Sequence, residues 1–274
     1  LVAWKAACRA SKLSVAGYAG AHSCVVLGAG NVRCWGRGTS GRLGSTSSEQ
    51  VGDNVGDHEN EIATLADVAL NDTATAVAAG EKHTCALLAS GMVMCWGDNF
   101  NGQLGGPSGT LRLVPLGANA TAISAGTDHT CALLEPGGVK CWGDGVFGAL
   151  GTDSTTDVGD GQDDWTPMAQ LNPISLGATV VAISAGRYSS CALLETGGVK
   201  CWGRNNHGQL GTGDAVNVGD GTPGRSMASL GTINLPSAAT AVSTGGEHTC
   251  VILDGGNVTC WGYGWWGELG NDMH

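Results

Sequence analysis

His129-Thr130-Cys131-Ala132-Leu133-Leu134-Glu135-Pro136-Gly137-Gly138-Val139-Lys140-Cys141-Trp142-Gly143 reads as a β-hairpin with a cysteine near each end. The pattern occurs five times, pairing Cys24 with Cys34, Cys85 with Cys95, Cys131 with Cys141, Cys191 with Cys201 and Cys250 with Cys260. Each pair is ten residues apart, and Trp-Gly follows each second cysteine. In Cys85-Ala86-Leu87-Leu88 and Met92-Val93-Met94-Cys95, alternation puts Cys85, Leu87, Val93 and Cys95 on one face. The hairpin centre is equidistant from both cysteines, so they lie opposite each other across an antiparallel pair. Opposed residues there have Cα atoms about 4.5–5.5 Å apart, within the span a disulfide bridges. Buried free thiols are the alternative, because cysteine also packs as a small hydrophobe. Five pairs in one register favour disulfides, which persist in an oxidising compartment.

Outward from the hairpins, the first cysteines fall at 24, 85, 131, 191 and 250, giving periods of 61, 46, 60 and 59 residues. Each repeat has a lead-in such as Ala122-Ile123-Ser124-Ala125-Gly126 and ends on a Gly-x-Leu-Gly-like turn such as Gly208-Gln209-Leu210-Gly211. Such a period, with several short strands per unit, fits an all-β propeller of antiparallel blades. The expected organisation is an N-terminal segment, 1–14, as a closing strand or part of a preceding blade. A repeat domain over 15–274 follows, with units at about 15–75, 76–121, 122–181, 182–240 and 241–274. The three long units carry insertions containing Gly56-Asp57, Gly159-Asp160 and Gly219-Asp220.

Composition agrees. The 274 residues include 47 Gly and only 14% charged residues, which suits tight turns and strands better than helices. The formal charge of −11 repels phosphate backbones and argues against nucleic acid as a partner. No apolar run is long enough to span a bilayer. The start, Leu1-Val2-Ala3-Trp4-Lys5, has no signal-peptide core, so a secreted form would be a mature or trimmed chain.

Ile123-Ser124-Ala125-Gly126-Thr127-Asp128-His129-Thr130-Cys131-Ala132-Leu133 resembles the repeat signature of the regulator of chromosome condensation family. Val139-Lys140-Cys141-Trp142-Gly143 does too, as does the Trp202-Gly203-Arg204-Asn205-Asn206-His207-Gly208-Gln209-Leu210-Gly211 turn. The resemblance covers about residues 15–270. It implies a propeller of four-stranded blades, most often seven, that binds through its faces. Family members include a guanine-nucleotide exchange factor, plant ultraviolet-B photoreceptors, bacterial β-lactamase inhibitory proteins and extracellular proteins. Here five repeats are visible, so either terminal segments or sequence outside this chain complete a larger ring, or the ring is smaller. Ala19 and Ser189 depart from the Gly and His of the other repeats, and repeat five has Gly264-Trp265-Trp266-Gly267-Glu268 at its turn.

Candidate sites lie where the repeats differ. The recurring His22, His83, His129 and His248 are expected to bond backbone within their own repeats. The Trp of each Cys-Trp-Gly is expected to pack in the core. Trp265 and Trp266 are adjacent at a turn, where one faces solvent and can stack on a sugar or dock a partner. Asp157, Asp160 and Asp163 are calcium candidates, although their spacing does not fit an EF-hand loop. Asn71, Asn119 and Asn257 begin glycosylation sequons. Cys8 has no partner in the pattern and is a candidate for a bond to another chain. No catalytic motif is present. These features fit a non-enzymatic, extracellular, cell-surface or lumenal glycoprotein that binds a protein partner or forms part of an assembly. A secreted inhibitor or carbohydrate binder is the alternative. An exchange-factor-like regulator of a small GTPase is less favoured, since it needs a reducing compartment.

Overall fold

The computed structural model describes residues 10–16, 20–45, 51, 65–107, 111–159 and 168–270. Repeat one contains β1 (Ala10–Val15), β2 (His22–Leu27) and β3 (Val32–Gly36). Repeat two contains β4 (Ala74–Ala79), β5 (His83–Leu88), β6 (Val93–Gly97) and β7 (Arg112–Val114). Repeat three contains β8 (Ala120–Ala125), β9 (His129–Leu134) and β10 (Gly138–Gly143). Repeat four contains β11 (Val180–Ala185), β12 (Ser189–Leu194) and β13 (Val199–Gly203). Repeat five contains β14 (Ala239–Thr244), β15 (His248–Leu253) and β16 (Val258–Gly262). Each repeat is one antiparallel sheet, and the chain is an all-β propeller of five consecutive blades.

Cysteine faces cysteine in every hairpin, as in Cys85 opposite Cys95 and Cys191 opposite Cys201. All five pairs are disulfides, with Cα atoms 4.1 Å apart. The first strand of every sheet carries a bulge, at Ser11, Thr75, Thr121, Val181 or Thr240. A hydroxyl compensates in four of them: Thr75 Oγ1, for instance, donates to Leu87 O at 3.3 Å.

Two expectations change. Among the described residues, the fourth strand is regular only in repeat two, where the connection is shortest and β7 pairs with β6 over three residues. In repeats one, three and four the outer segment keeps a single N–H bond to the third strand, from Val68 to Val32, Ile174 to Val139 and Ile233 to Val199, each 2.8 Å. Pro173, beside Ile174, has no N–H with which to extend the ladder. The N-terminal segment, expected as a closing strand or part of a preceding blade, supplies at Ala10–Val15 the strand β1, which pairs with β2 as the first strand of repeat one. Six residues separate β1 from β2, against three between β4 and β5, and this breaks the sequence match.

Consecutive blades share their cores. Cys85, Leu87, Val93, Cys95 and Leu104 of repeat two pack on Ala120, Ala132, Leu134 and Trp142 of repeat three. A polar latch accompanies each contact. Trp142 Nε1 and Thr130 Oγ1 both donate to the carbonyl of Gln103 in the preceding repeat, at 3.0 and 3.3 Å. Trp96 with Thr84, Trp202 with Ser190, and Trp261 with Thr249 do the same to Arg42, Ala149 and Gln209. The hydroxyl also receives the histidine of the preceding repeat: His22 to Thr84, His83 to Thr130 and His129 to Ser190, each 2.9 Å. The histidines therefore tie one blade to the next, and do not bond backbone within their own repeat as expected. The glycine ending each turn seats the following tryptophan. At Gly151 (φ +64°) an added Cβ would lie 2.9 Å from Trp202 Nε1.

Candidate functional site

Two loops of each repeat meet at one end of the blade: the turn between the first and second strands, and the loop after the third. Backbone bonds join them, from Asp98 N to Lys82 O, Asp144 N to Asp128 O, Arg204 N to Tyr188 O and Tyr263 N to Glu247 O, at 2.8–3.0 Å. The residues so joined are those that vary between repeats, while the His, Cys and Trp beside them recur. The repeated scaffold thus presents a non-repeated row of side chains along one face.

Among the described residues, every Phe, Tyr and Trp outside the five Cys-Trp-Gly triplets lies in these loops: Phe100, Phe147, Tyr188, Tyr263, Trp265 and Trp266. Phe100 is 87% exposed, Trp265 71% and Trp266 81%. Both members of the tryptophan pair face solvent, where one was expected. Phe147 is held at φ +59°, a left-handed conformation that few side chains adopt, and its ring meets Tyr188 edge-on at 5.5 Å.

Charge divides the face. In repeats four and five, Arg187 and Arg204 reach Glu247 Oε1 at 3.5 and 3.1 Å, and His207 Nε2 lies 3.3 Å from Glu247 Oε2. The Arg204 guanidinium sits over Phe147 at 5.1 Å and Tyr188 at 5.8 Å, while Arg187 sits over Tyr188 at 5.1 Å. In repeats two and three the row is mostly acidic, with Glu81, Asp98, Asp128 and Asp144 beside Lys82. Burial, with Glu81, Asp144 and Asp98 nearby, pushes the Asp128 carboxyl up to about 6. Burial also raises Asp144.

Asp157 accepts the Gly145 N–H at 2.9 Å, and Asn217 makes the equivalent bond to Asn205 N at 3.0 Å in repeat four. An amide serving in its place shows that this position closes a loop. Asp160 and Asp163 lie outside the described residues, as do Cys8 and Gly56-Asp57. No group of three or more His, Cys, Asp or Glu among the described residues is arranged to hold a metal ion. The insertions are aligned by Val51, Val158 and Val218, which bridge to Gly36, Gly143 and Gly203. The counterpart of Gly159-Asp160 in repeat one is therefore Gly52-Asp53, four residues before the expected pair. Asn71, Asn119 and Asn257 are exposed, before a first strand or in a hairpin turn, at the blade end opposite the aromatic loops. A cavity under the repeat-four insertion is lined mostly by glycine and by small polar residues such as Thr212, Ser226 and Ser229. Its one charged side chain, Arg225, is paired with Asp214.

Sequence reasoning missed Phe147, Arg187, Tyr188, Arg204 and Glu247. Aligning the repeats column by column after Trp-Gly and before His-x-Cys would have found them, because residue chemistry there changes from blade to blade beside the recurring triplets.

These features define a disulfide-stapled repeat propeller with its variable chemistry gathered on one loop face. The description "Regulator of chromosome condensation (RCC1) repeat" matches residues 74–103, 120–149 and 180–209 in one form and 196–252 in another. The chain is 29% identical over 253 residues to the RCC1 domain-containing protein RUG3, mitochondrial, of Arabidopsis thaliana, covering 89% of this chain and 52% of the relative. It is 32% identical over 257 residues to the ultraviolet-B receptor UVR8 of the same plant, covering 92% of this chain and 42% of the relative. The fold is similar to that of human WBSCR16, with a TM-score of 0.73 and 18% identity over 95% of this chain and 64% of that one. The chain belongs to the regulator of chromosome condensation repeat family. It spans about half the length of the curated relatives it matches.

Proposed function

We propose that this protein is a non-enzymatic binding propeller that engages a protein partner through the aromatic loop face, in an oxidising compartment. The observation that carries the reading is the gathering of all six described non-core aromatic residues, with Arg187 and Arg204, on one face. Aromatic residues and arginine are enriched at the energetic centres of protein interfaces. The sequons on the opposite end are compatible with it, since glycans there would leave the loop face open. Five disulfides favour an oxidising compartment over the reducing setting of an exchange factor.

Affinity capture from the native compartment tests the reading. A partner held by the wild type and by the opposite-end variant Asn119→Gln should be lost by Arg204→Ala and by the Trp265→Ala, Trp266→Ala double variant. Retention of that partner by both loop-face variants would refute the assignment. Alkylation without reduction tests the compartment. Eleven cysteines minus ten in disulfides leaves at most one thiol to label, and eleven labelled thiols in protein taken from its native source would exclude an oxidising setting.

A further inference from the structure

The chain carries three Asn-x-Ser/Thr sequons, at Asn71, Asn119 and Asn257, and all are of the threonine form. All lie at the end of the blades opposite the aromatic loops. There each hairpin turn is bonded to the segment entering a first strand: Ala89 N donates to Thr73 O at 2.8 Å, Glu135 N to Asn119 O at 3.0 Å and Asp254 N to Ala238 O at 2.7 Å. The turn of the preceding repeat is bonded to the same segments, from Ala74 N to Gly30 O and from Ala120 N to Gly91 O, both 2.8 Å. The backbone around each sequon is therefore fixed, while the three asparagines are exposed. Gly91 (φ +80°) clears the way for Asn119, because an added Cβ there would lie 2.8 Å from the asparagine Cβ.

The use made of the amide separates these asparagines from others. The Nδ2 groups of Asn31, Asn99, Asn205 and Asn217 donate to Asp67 Oδ2, Gly106 O, Asp214 O and Asp220 Oδ2, so a group attached there would break a structural bond. The side chains of Asn71, Asn119 and Asn257 make no hydrogen bond among the described residues. Asn31 and Asn257 show the contrast in one column, since each directly precedes the third strand of its repeat. In repeat one Arg33 stands two residues further on and pairs with Asp67, which also takes the Asn31 amide. In repeat five Thr259 stands there and completes the sequon. Asn31 and Met92 occupy the same position with a following repeat packed beside them and are still exposed, so the exposure of Asn257 belongs to the turn.

We propose that Asn71, Asn119 and Asn257 carry N-linked glycans, which makes this end of the propeller a glycan-bearing face. The assignment rests on the oxidising compartment proposed above, taken as a secretory one. At each site Nδ2 forms a bond to the anomeric carbon of a sugar carried on a lipid pyrophosphate. The bond from that carbon to the pyrophosphate oxygen breaks, the lipid pyrophosphate leaves, and Nδ2 gives up one proton. Nothing is oxidised or reduced. The bulky, polar product stays in solvent and displaces no internal contact.

Protein from its native source tests this. Peptide-N-glycosidase should increase its gel mobility and convert all three asparagines to aspartate, read by peptide mass spectrometry. Expressed in that source, Asn71→Gln, Asn119→Gln and Asn257→Gln should each remove one glycan step, and the triple variant all of them. Thr121→Ala should remove the same step as Asn119→Gln, whereas Thr121→Ser should retain it, because the sequon and not the asparagine alone is recognised. An asparagine left unconverted, in protein whose ten paired cysteines resist alkylation, would overturn the assignment at that site and leave the compartment reading standing. Eleven alkylated thiols would overturn both.

Discussion

Thr130 shows how a single hydroxyl fixes the chemistry of its neighbours. It has one proton, which it donates to Gln103 O, so it must accept from His83 Nε2. His83 is therefore the Nε2–H tautomer, and its buried Nδ1 has no partner. Gly80 makes room for that ring: an added Cβ would lie 2.2 Å from His83 Cε1. Thr130→Val should cost about 1–3 kcal/mol in denaturant melts, because it strands a buried N–H. Thr130→Ser should recover most of that loss, following Ser190. Burial also lowers the pKa of His22 to about 4, His83 to about 3 and His129 to about 4. The unfolded chain thus takes up these protons first, and stability falls as pH drops from about 6.5 towards those values. Asp128 has the opposite sign: its folded pKa of about 6 lies above 3.8, so acidification through that window favours the fold. Three histidines outweigh one aspartate, and the melting temperature should decline between pH 6.5 and 4. Asp128→Asn should raise it at pH 7.5 and leave it little changed at pH 4, so that the acid loss steepens. Equal melting temperatures for wild type and Asp128→Asn at pH 7.5 would refute the burial argument.

At the scale of the element, the hairpin is closed twice, by its hydrogen-bond ladder and by a disulfide at a non-hydrogen-bonded pair. Replacing Cys191 and Cys201 by serine opens a loop of ten residues and should cost roughly 3 kcal/mol in chemical denaturation, mostly through the freed unfolded chain. A loss below about 1 kcal/mol would mean that packing of the buried pair against neighbouring blades outweighs the cross-link. The hairpins were legible because their information is local: a constant offset, a central turn and an alternating face fix which residues oppose. The bulges were not, since Thr75 and Thr121 read as ordinary strand residues until the register is known. Nor were the histidine partners, because His83 and Thr130 are 47 residues apart and meet only through blade packing. β1 was hidden by its longer link to β2, and the outer strands by irregular connections. At the loop face, adjacency made Trp265-Trp266 visible. Arg204, Phe147 and Tyr188 come from two different repeats and become a cluster only when those blades stand side by side.

For the whole molecule, stability follows from a linear array of blades that touch only their neighbours. In repeats two, three and four the second strand is buried along its full length, as at β5, β9 and β12. In repeat five the same strand is only partly buried, and β16 has no fully buried residue. The disulfide cannot supply what is missing, because it cross-links the hairpin to itself and leaves its outer face in water. Local opening should therefore cost least in repeat five, where one neighbour is present, and most in repeats two to four, where both are. Native-state hydrogen exchange measures this directly. Amides of β5, β9 and β12 should exchange only near the global unfolding free energy, and those of β15 and β16 well below it. Uniform protection in dilute, monomeric protein would show instead that the array unfolds as one unit, with the terminal blade as firmly held as the central ones.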